Sequence, residues 1–147
     1  ALRRRGVTHA FIGLGSTGDT SPRRRLFEEA RRQGLDFVSA IHPAAVISPS
    51  VEFGQGPTIM AAAVINAAAR LGNNVIVNTR SIIEHDCVIG DHAHIATGAQ
   101  LASTVMVGAG AHVGAGATVR QSIFPSFLGK ISKLNYSSLK NCFELHL

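Results

Sequence analysis

Residues 41–124 read in sixes without a gap: IHPAAV ISPSVE FGQGPT IMAAAV INAAAR LGNNVI VNTRSI IEHDCV IGDHAH IATGAQ LASTVM VGAGAH VGAGAT VRQSIF. Every first position, from Ile41, Ile47, Phe53 and Ile59 through Ile83, Ile89 and Ile95 to Val113 and Val119, is bulky and apolar. In a chain that is 46% hydrophobic, chance would fill only about half of them. The fifth position is nearly always small, as at Ala63, Ala69, Ser81, Cys87, Ala93 and Ala99. A large and a small inward residue at a fixed offset, every six residues, fits neither the helical period nor simple strand alternation. It predicts a parallel β-helix built of hexapeptides, with three hexads making one triangular coil of 18 residues. First positions fill the prism, fifth positions tuck in near its corners, and positions two to four turn the corner. Those turning positions are rich in Gly, Asn, Asp, Pro, Ser and Ala, as turn chemistry requires. Successive coils should stack at roughly the strand spacing, about 4.8 Å.

Within this register lies Ser81-x-IEHDC-x-IGD-x-x-HI, ending at Ile95. Here the chain resembles the left-handed β-helix acyltransferases, specifically the branch that acetylates sialic acid and nucleotide-linked amino sugars. The resemblance runs from about Phe11 to Ile123. Left-handedness, an exception to the usual crossover rule, is implied by the resemblance and not by the hexads. So is the activity: transfer of acetyl from acetyl-CoA, as co-substrate, to an amino or hydroxyl group of a sugar. The setting would be cytoplasmic bacterial surface-glycan synthesis.

Composition narrows the alternatives. The 147 residues carry no apolar run of transmembrane length, so no membrane insertion is expected. The start, ALRRRGVTHAFIGLG, does not read as a signal peptide. The two cysteines, Cys87 and Cys142, make no disulfide framework. Cys87, at a small inward position, reads as a packed thiol. The net charge of +5 sits at the ends: residues 1–40 hold eight Arg and four acids, residues 41–124 three Arg and four acids. Without interleaved aromatics or a nucleic-acid motif, this basic character points to a solvated helix and phosphorylated ligands, not to nucleic acid.

Residues 1–40 read as a partial nucleotide-sugar-binding βαβ fragment. Val7–Leu14 is a predicted strand, Ser21-Pro22 a helix start with Ser21 as N-cap, and Arg23–Gln33 the helix, with Leu26, Phe27 and Ala30 on one face. Gly34 closes it, and Leu35–Ile41 is a second strand. Gly13, Gly15 and Gly18 spell GxGxxG, a weak dinucleotide signal, since Asp36 precedes the next strand where an acid should end it. A tight strand-to-helix turn explains these glycines equally well. By resemblance, Gly15 lies against the sugar nucleotide, and the arginines at Arg23–Arg25 can attract its phosphates. His42-Pro43 opens the β-helix in a structural role. The hexads stop at Phe124, and residues 125–147 are either a helical cap over the end of the solenoid or an altered tail.

An acetyl transfer needs a base, a carboxylate to orient it, and N–H donors for the oxyanion. His85 stands at position three of its hexad, on a corner, between Glu84 and Asp86. The resemblance makes His85 the general base and Asp86 the acid that enhances it. It makes His94 and Ala115 acetyl-CoA contacts and puts Asn78 with the substrate, although a corner Asn can also bond its own turn. His94 and His112, 18 residues apart, should stack one rung apart; His92 and His112 read as surface or interface residues. The resemblance and the small residues around Ala61–Ala68 imply a homotrimer with sites between prisms. Two other classes stay open: a zinc carbonic anhydrase-like trimer, although the histidine spacings of 7, 9 and 2 do not suit its shared ligands, and a non-catalytic scaffold. The acetyltransferase reading expects no metal.

Overall fold

The structure, a computed structural model, describes residues 5–121. A two-residue strand, β1 (His9–Ala10), is followed by helix α1 (Ser21–Arg32) and by β2 (Asp36–Phe37). The hexads then give one such strand each, from a sixth position and the first position after it. In chain order these are β3 (Ala40–Ile41), β4 (Val46–Ile47), β5 (Glu52–Phe53), β6 (Thr58–Ile59), β7 (Val64–Ile65), β8 (Arg70–Leu71), β9 (Ile76–Val77), β10 (Ile82–Ile83), β11 (Val88–Ile89), β12 (His94–Ile95), β13 (Gln100–Leu101), β14 (Met106–Val107), β15 (His112–Val113) and β16 (Thr118–Val119).

Strands 18 residues apart pair in parallel, so Ile83 lies between Ile65 and Leu101, and His94 between Ile76 and His112. Three sheets result, in the orders β3-β6-β9-β12-β15, β4-β7-β10-β13-β16 and β5-β8-β11-β14. They are the faces of a left-handed parallel β-helix. The corners repeat one backbone device. Every sixth residue from 56 to 116, the fourth of its hexad, has a left-handed φ. Gly takes four of these positions; Ala62, Ala68, Asn74, Arg80, Asp86, His92 and Thr104 take the rest. An L-residue there costs about 1–2 kcal/mol, which the rung-to-rung hydrogen bonds must offset.

First positions from Ile59 to Val119 and fifth positions from Ala63 to Ala117 are buried in one continuous core. The expectation fails at the first coil, where Ile41 is 47% and Phe53 38% exposed. These side chains lie at the start of the prism, where no described coil precedes them. Where corners stack most tightly a side chain has no room. A Cβ on Gly90 would stand 2.5 Å from the Ala109 nitrogen and 2.9 Å from its Cα.

The N-terminal segment packs along the side of this prism. β1 and β2 pair in parallel, and Phe27 of α1 stacks on Phe37 at 3.9 Å, its ring edge-on to His92. The inward face of α1 is Arg23 and Phe27, both buried; Leu26, expected inside, is 49% exposed. The N-cap is Thr20, not Ser21, and the Thr20 hydroxyl reaches out to donate to Gly110 O at 2.9 Å. Gly34, at φ +75°, ends the helix as expected. The predicted strand over residues 35–41 is two: β2 pairs with β1, whereas β3 already belongs to the β-helix. Asp36 therefore begins β2 and does not precede it. The proposed cap or tail over residues 125–147, with Cys142, lies outside the described residues. Among the described residues no helix is long and apolar enough to cross a membrane.

Arg23 fastens the two parts. Its guanidinium, 1% exposed, donates to Asn74 O, to Asn74 Oδ1 at 3.0 Å and to His92 O at 2.6 Å. Burial lowers its pKa to about 10, leaving it a cation at neutral pH. A side chain committed to corner carbonyls is not available to phosphate, which corrects the expectation for Arg23. A second fastening is polar and titratable. His94, 5% exposed, donates from Nδ1 to Ser16 O at 2.6 Å.

Gly90→Ala is expected to destabilise the prism by about 1–3 kcal/mol, the span for overpacking, because the atoms it meets are backbone and cannot swing aside. Chemical denaturation of the two proteins measures this. A second expectation concerns acid. Burial lowers the His94 pKa from 6.5 to about 4, so the unfolded chain binds a proton that the folded chain refuses. Stability should therefore be complete above about 6.5 and fall as pH drops towards 4. His92 and His112, also lowered by burial, act in the same direction. In thermal melts across this range, His94→Gln should flatten part of the slope.

Candidate functional site

The three corners of the prism hold different chemistry. The corner between the β10 and β11 faces carries His85 and Asp86, both exposed. Because Asp86 takes the left-handed φ of 60°, its carboxylate turns beside the preceding residue, and Oδ2 lies 2.7 Å from His85 Nδ1. A carboxylate accepts, so Nδ1 carries the proton and Nε2 presents its lone pair outward. One rung on, the Ser103 hydroxyl donates to that lone pair at 2.8 Å. Glu84 is turned away to accept from Asn66 Nδ2 at 2.9 Å.

The corner between the β9 and β10 faces carries Asn78, with Ala115, exposed, on the same corner two coils further along, in the column of Thr79. Asn78 is oriented from both ends. Its Oδ1 accepts from the Thr79 N–H at 2.7 Å, and its Nδ2 donates to His94 Nε2 at 3.2 Å. His94 Nδ1 is already committed to Ser16 O, so the ring is neutral with both nitrogens engaged. Its edge meets His112 at 4.7 Å, the predicted stack. Asn78 and His94 open on a pocket of about 310 Å³ between the loop Phe11–Gly15 and the outer face of the β6, β9 and β12 strands. Thr58, Met60 and Ile76 complete that side. Gly15 lines the pocket, and a Cβ there would meet nothing within 4 Å. Gly18, with φ +75°, makes the turn of the GxGxxG.

The third corner, between the β11 and β12 faces, is structural. Asp91 accepts from the Asn73 N–H at 2.7 Å, and His92 pairs with Asn74 Nδ2 at 3.0 Å. His92, expected at the surface, is 8% exposed because α1 covers this corner through Phe27. Cys87 is buried, its pKa raised by burial.

One chain thus brings Gly15, Asn78 and His94 together, with Ala115 on the same corner, and holds His85–Asp86 on a different corner. Sequence reasoning missed Ser103 and Ser16, and gave Arg23 to phosphate where the structure gives it to corner carbonyls. The first was findable: Ser103 follows His85 by 18 residues, the interval that stacks His94 on His112. The other two depend on how the N-terminal segment docks, which no repeat encodes. Among the described residues no three His, Cys, Asp or Glu side chains group as a metal site would need.

The hexapeptide pattern is matched by the family model for bacterial transferase hexapeptide repeats over residues 68–103 and 86–121. No curated protein matches the sequence. Among solved structures, the chain is similar to a histidine-to-alanine mutant of GDP-perosamine N-acetyl transferase from Caulobacter crescentus, in complex with CoA and GDP-perosamine. The identity is 34%, with 81% of this chain and 64% of that one covered, and a TM-score of 0.68. It is also similar to the acetyltransferase domain of PglB from Neisseria gonorrhoeae, at 34% identity over 74% of this chain and 62% of that one, with a TM-score of 0.64. The same domain in complex with acetyl coenzyme A matches at 34% identity over 70% and 61%, with a TM-score of 0.57. The chain therefore spans somewhat under two thirds of the length of these proteins. By its repeat and by the prism that the repeat builds, the chain carries the bacterial transferase hexapeptide repeat.

Proposed function

We propose that this protein transfers acetyl from acetyl-CoA to an amino or hydroxyl group of a sugar, either a nucleotide-linked amino sugar or a sialic acid. The observation that carries the reading is the His85–Asp86 pair, with Nδ1 held by the carboxylate at 2.7 Å and Nε2 directed outward as a base. The similarity to the Caulobacter enzyme, whose structure holds CoA and GDP-perosamine, supports both ligand classes. In the reaction, the acceptor nitrogen or oxygen attacks the thioester carbonyl and gives up its proton to the His85 imidazole. Asp86 stabilises the imidazolium, and CoA leaves as the thiolate. Acetyl passes directly from thioester to acceptor.

In this reading Gly15 and Asn78 hold the sugar substrate, and His94 and Ala115 lie along the acetyl-CoA path. The pocket formed by Gly15, Asn78 and His94 supports a ligand there. With both ring nitrogens engaged, His94 acts by fixing Asn78 and offering its ring edge. The N-terminal residues 1–40 serve as the nucleotide-sugar side, the β-helix from residue 41 as the acyltransferase side. A base on one corner and a ligand pocket on another support a site completed by a neighbouring copy, in a homotrimer. We set the reaction in the cytoplasm, in surface-polysaccharide synthesis.

His85→Ala should lower kcat by roughly 10²- to 10⁴-fold, the usual span for a lost general base, and Asp86→Asn by less. Melting temperatures should hardly move, since both side chains are exposed. An unchanged kcat in His85→Ala sinks the assignment. The shared site has its own test. Co-expressed His85→Ala and Asn78→Ala chains, each inactive alone, should recover part of the wild-type rate as mixed trimers. No recovery, with light scattering reporting monomers, would end the trimer reading.

A further inference from the structure

The His85 corner contains a third group that a simple base–carboxylate pair does not use. Ser103 stands on the next rung, held in place by the solenoid register and by the Thr104 N–H, which donates to His85 O at 3.0 Å. Since Asp86 takes the Nδ1 proton, the 2.8 Å contact between Ser103 Oγ and His85 Nε2 has one polarity: the hydroxyl donates and Nε2 accepts. Nε2 has a single lone pair, so an acceptor proton cannot reach it directly while Ser103 is in place. Oγ, in turn, has lone pairs to spare. Among the described residues its one hydrogen bond is the one to His85, and the contact is exposed.

We propose that Ser103 is a further catalytic residue, a proton relay between the acceptor and His85. This rests on the acetyltransferase reading. The acceptor N–H or O–H binds the free face of Oγ. As its nitrogen or oxygen forms the bond to the thioester carbon, its proton moves to Oγ while the proton of Oγ moves to Nε2. The hydroxyl is regenerated in the same step. The C–S bond breaks, CoA departs as thiolate, and the imidazolium, stabilised by Asp86, then returns its proton to the thiolate. The serine gains and loses one proton and carries no acyl group. The relay also sets the geometry of the acceptor: its reacting atom sits one hydroxyl further from the imidazole than direct abstraction would require.

The test uses the full chain with acetyl-CoA and a panel of nucleotide-linked amino sugars, GDP-perosamine among them, carrying forward the fastest acceptor. Ser103→Ala should lower kcat by roughly 10- to 10²-fold, the lower part of the span for proton transfer, with KM for acetyl-CoA unchanged. Ser103→Thr, which keeps the hydroxyl, should restore most of the loss. In mixtures of light and heavy water the wild-type rate should bend downward, two protons moving at once, and the Ser103→Ala rate should become linear. That signature does not respond to a merely structural role, and the wild-type curve stands even if Ser103→Ala fails to fold. A linear wild-type curve, a Ser103→Ala enzyme at wild-type kcat while His85→Ala is inactive, or an acetyl group trapped on Ser103 each overturns the relay and leaves His85 as base. Wild-type His85→Ala activity, or no turnover with any acceptor, removes the acetyltransferase reading and the relay with it.

Discussion

The 18-residue register is the constraint on which the rest of this molecule depends. A two-residue strand cannot stand alone; it holds because the backbone N–H groups on one rung donate to carbonyls on the next, as His94 N does to Ala111 O at 2.9 Å. Once the register is set, identical hexad positions become neighbours in space. The core follows as a column of branched aliphatics with small residues beside it. The corners follow too, with their left-handed residue every six positions. So does the chemistry, since each candidate side chain has a vertical neighbour chosen by arithmetic: Ser103 for His85, His112 for His94, Glu84 for Asn66.

The same constraint limits what a single prism can do. Corner residues point away from one another, and three corners cannot converge on one reacting atom. In this chain the candidate base occupies one corner and the ligand pocket borders another. A solenoid enzyme gains a rigid column of side chains, and it builds an enclosed site only by docking something against that column. Here the N-terminal segment supplies one such wall, along the β6, β9 and β12 strands.

The docking of that wall rests on a buried cation. Arg23 donates from its two terminal nitrogens to the carbonyls of Asn74 and His92 and not to a carboxylate, and its Nε lacks a partner among the described residues. A buried guanidinium tolerates few arrangements, because any displacement leaves its donors unpaired in a dry setting. Arg23 therefore specifies where α1 sits more than it stabilises it. Thr20 on Gly110 and Ser16 on His94 complete the same seam. Since Ser16 fixes the His94 tautomer and His94 fixes Asn78, the seam sets the orientation of a pocket residue.

Fold and site differ in how far they could be read from the chain. The hexads determined the coil, the inward positions, the corner placement of His85, Asp86 and Asn78, and the stacking of His94 on His112, because a repeat converts sequence distance into spatial distance. The first coil departs from the pattern at Ile41 and Phe53, at the start of the prism, where no described coil precedes them. The N-terminal 40 residues have no period, and there tertiary contacts took over: Arg23 went in and Leu26 out, Thr20 left its capping role to reach Gly110, and His92 was covered by Phe27. Local propensity registers the amphipathic helix but not the surface it meets. The sequence by itself thus determined the column of groups along each corner. Only the tertiary structure decided which of those groups would be buried, neutral and paired, because that depends on contacts between segments with no common period.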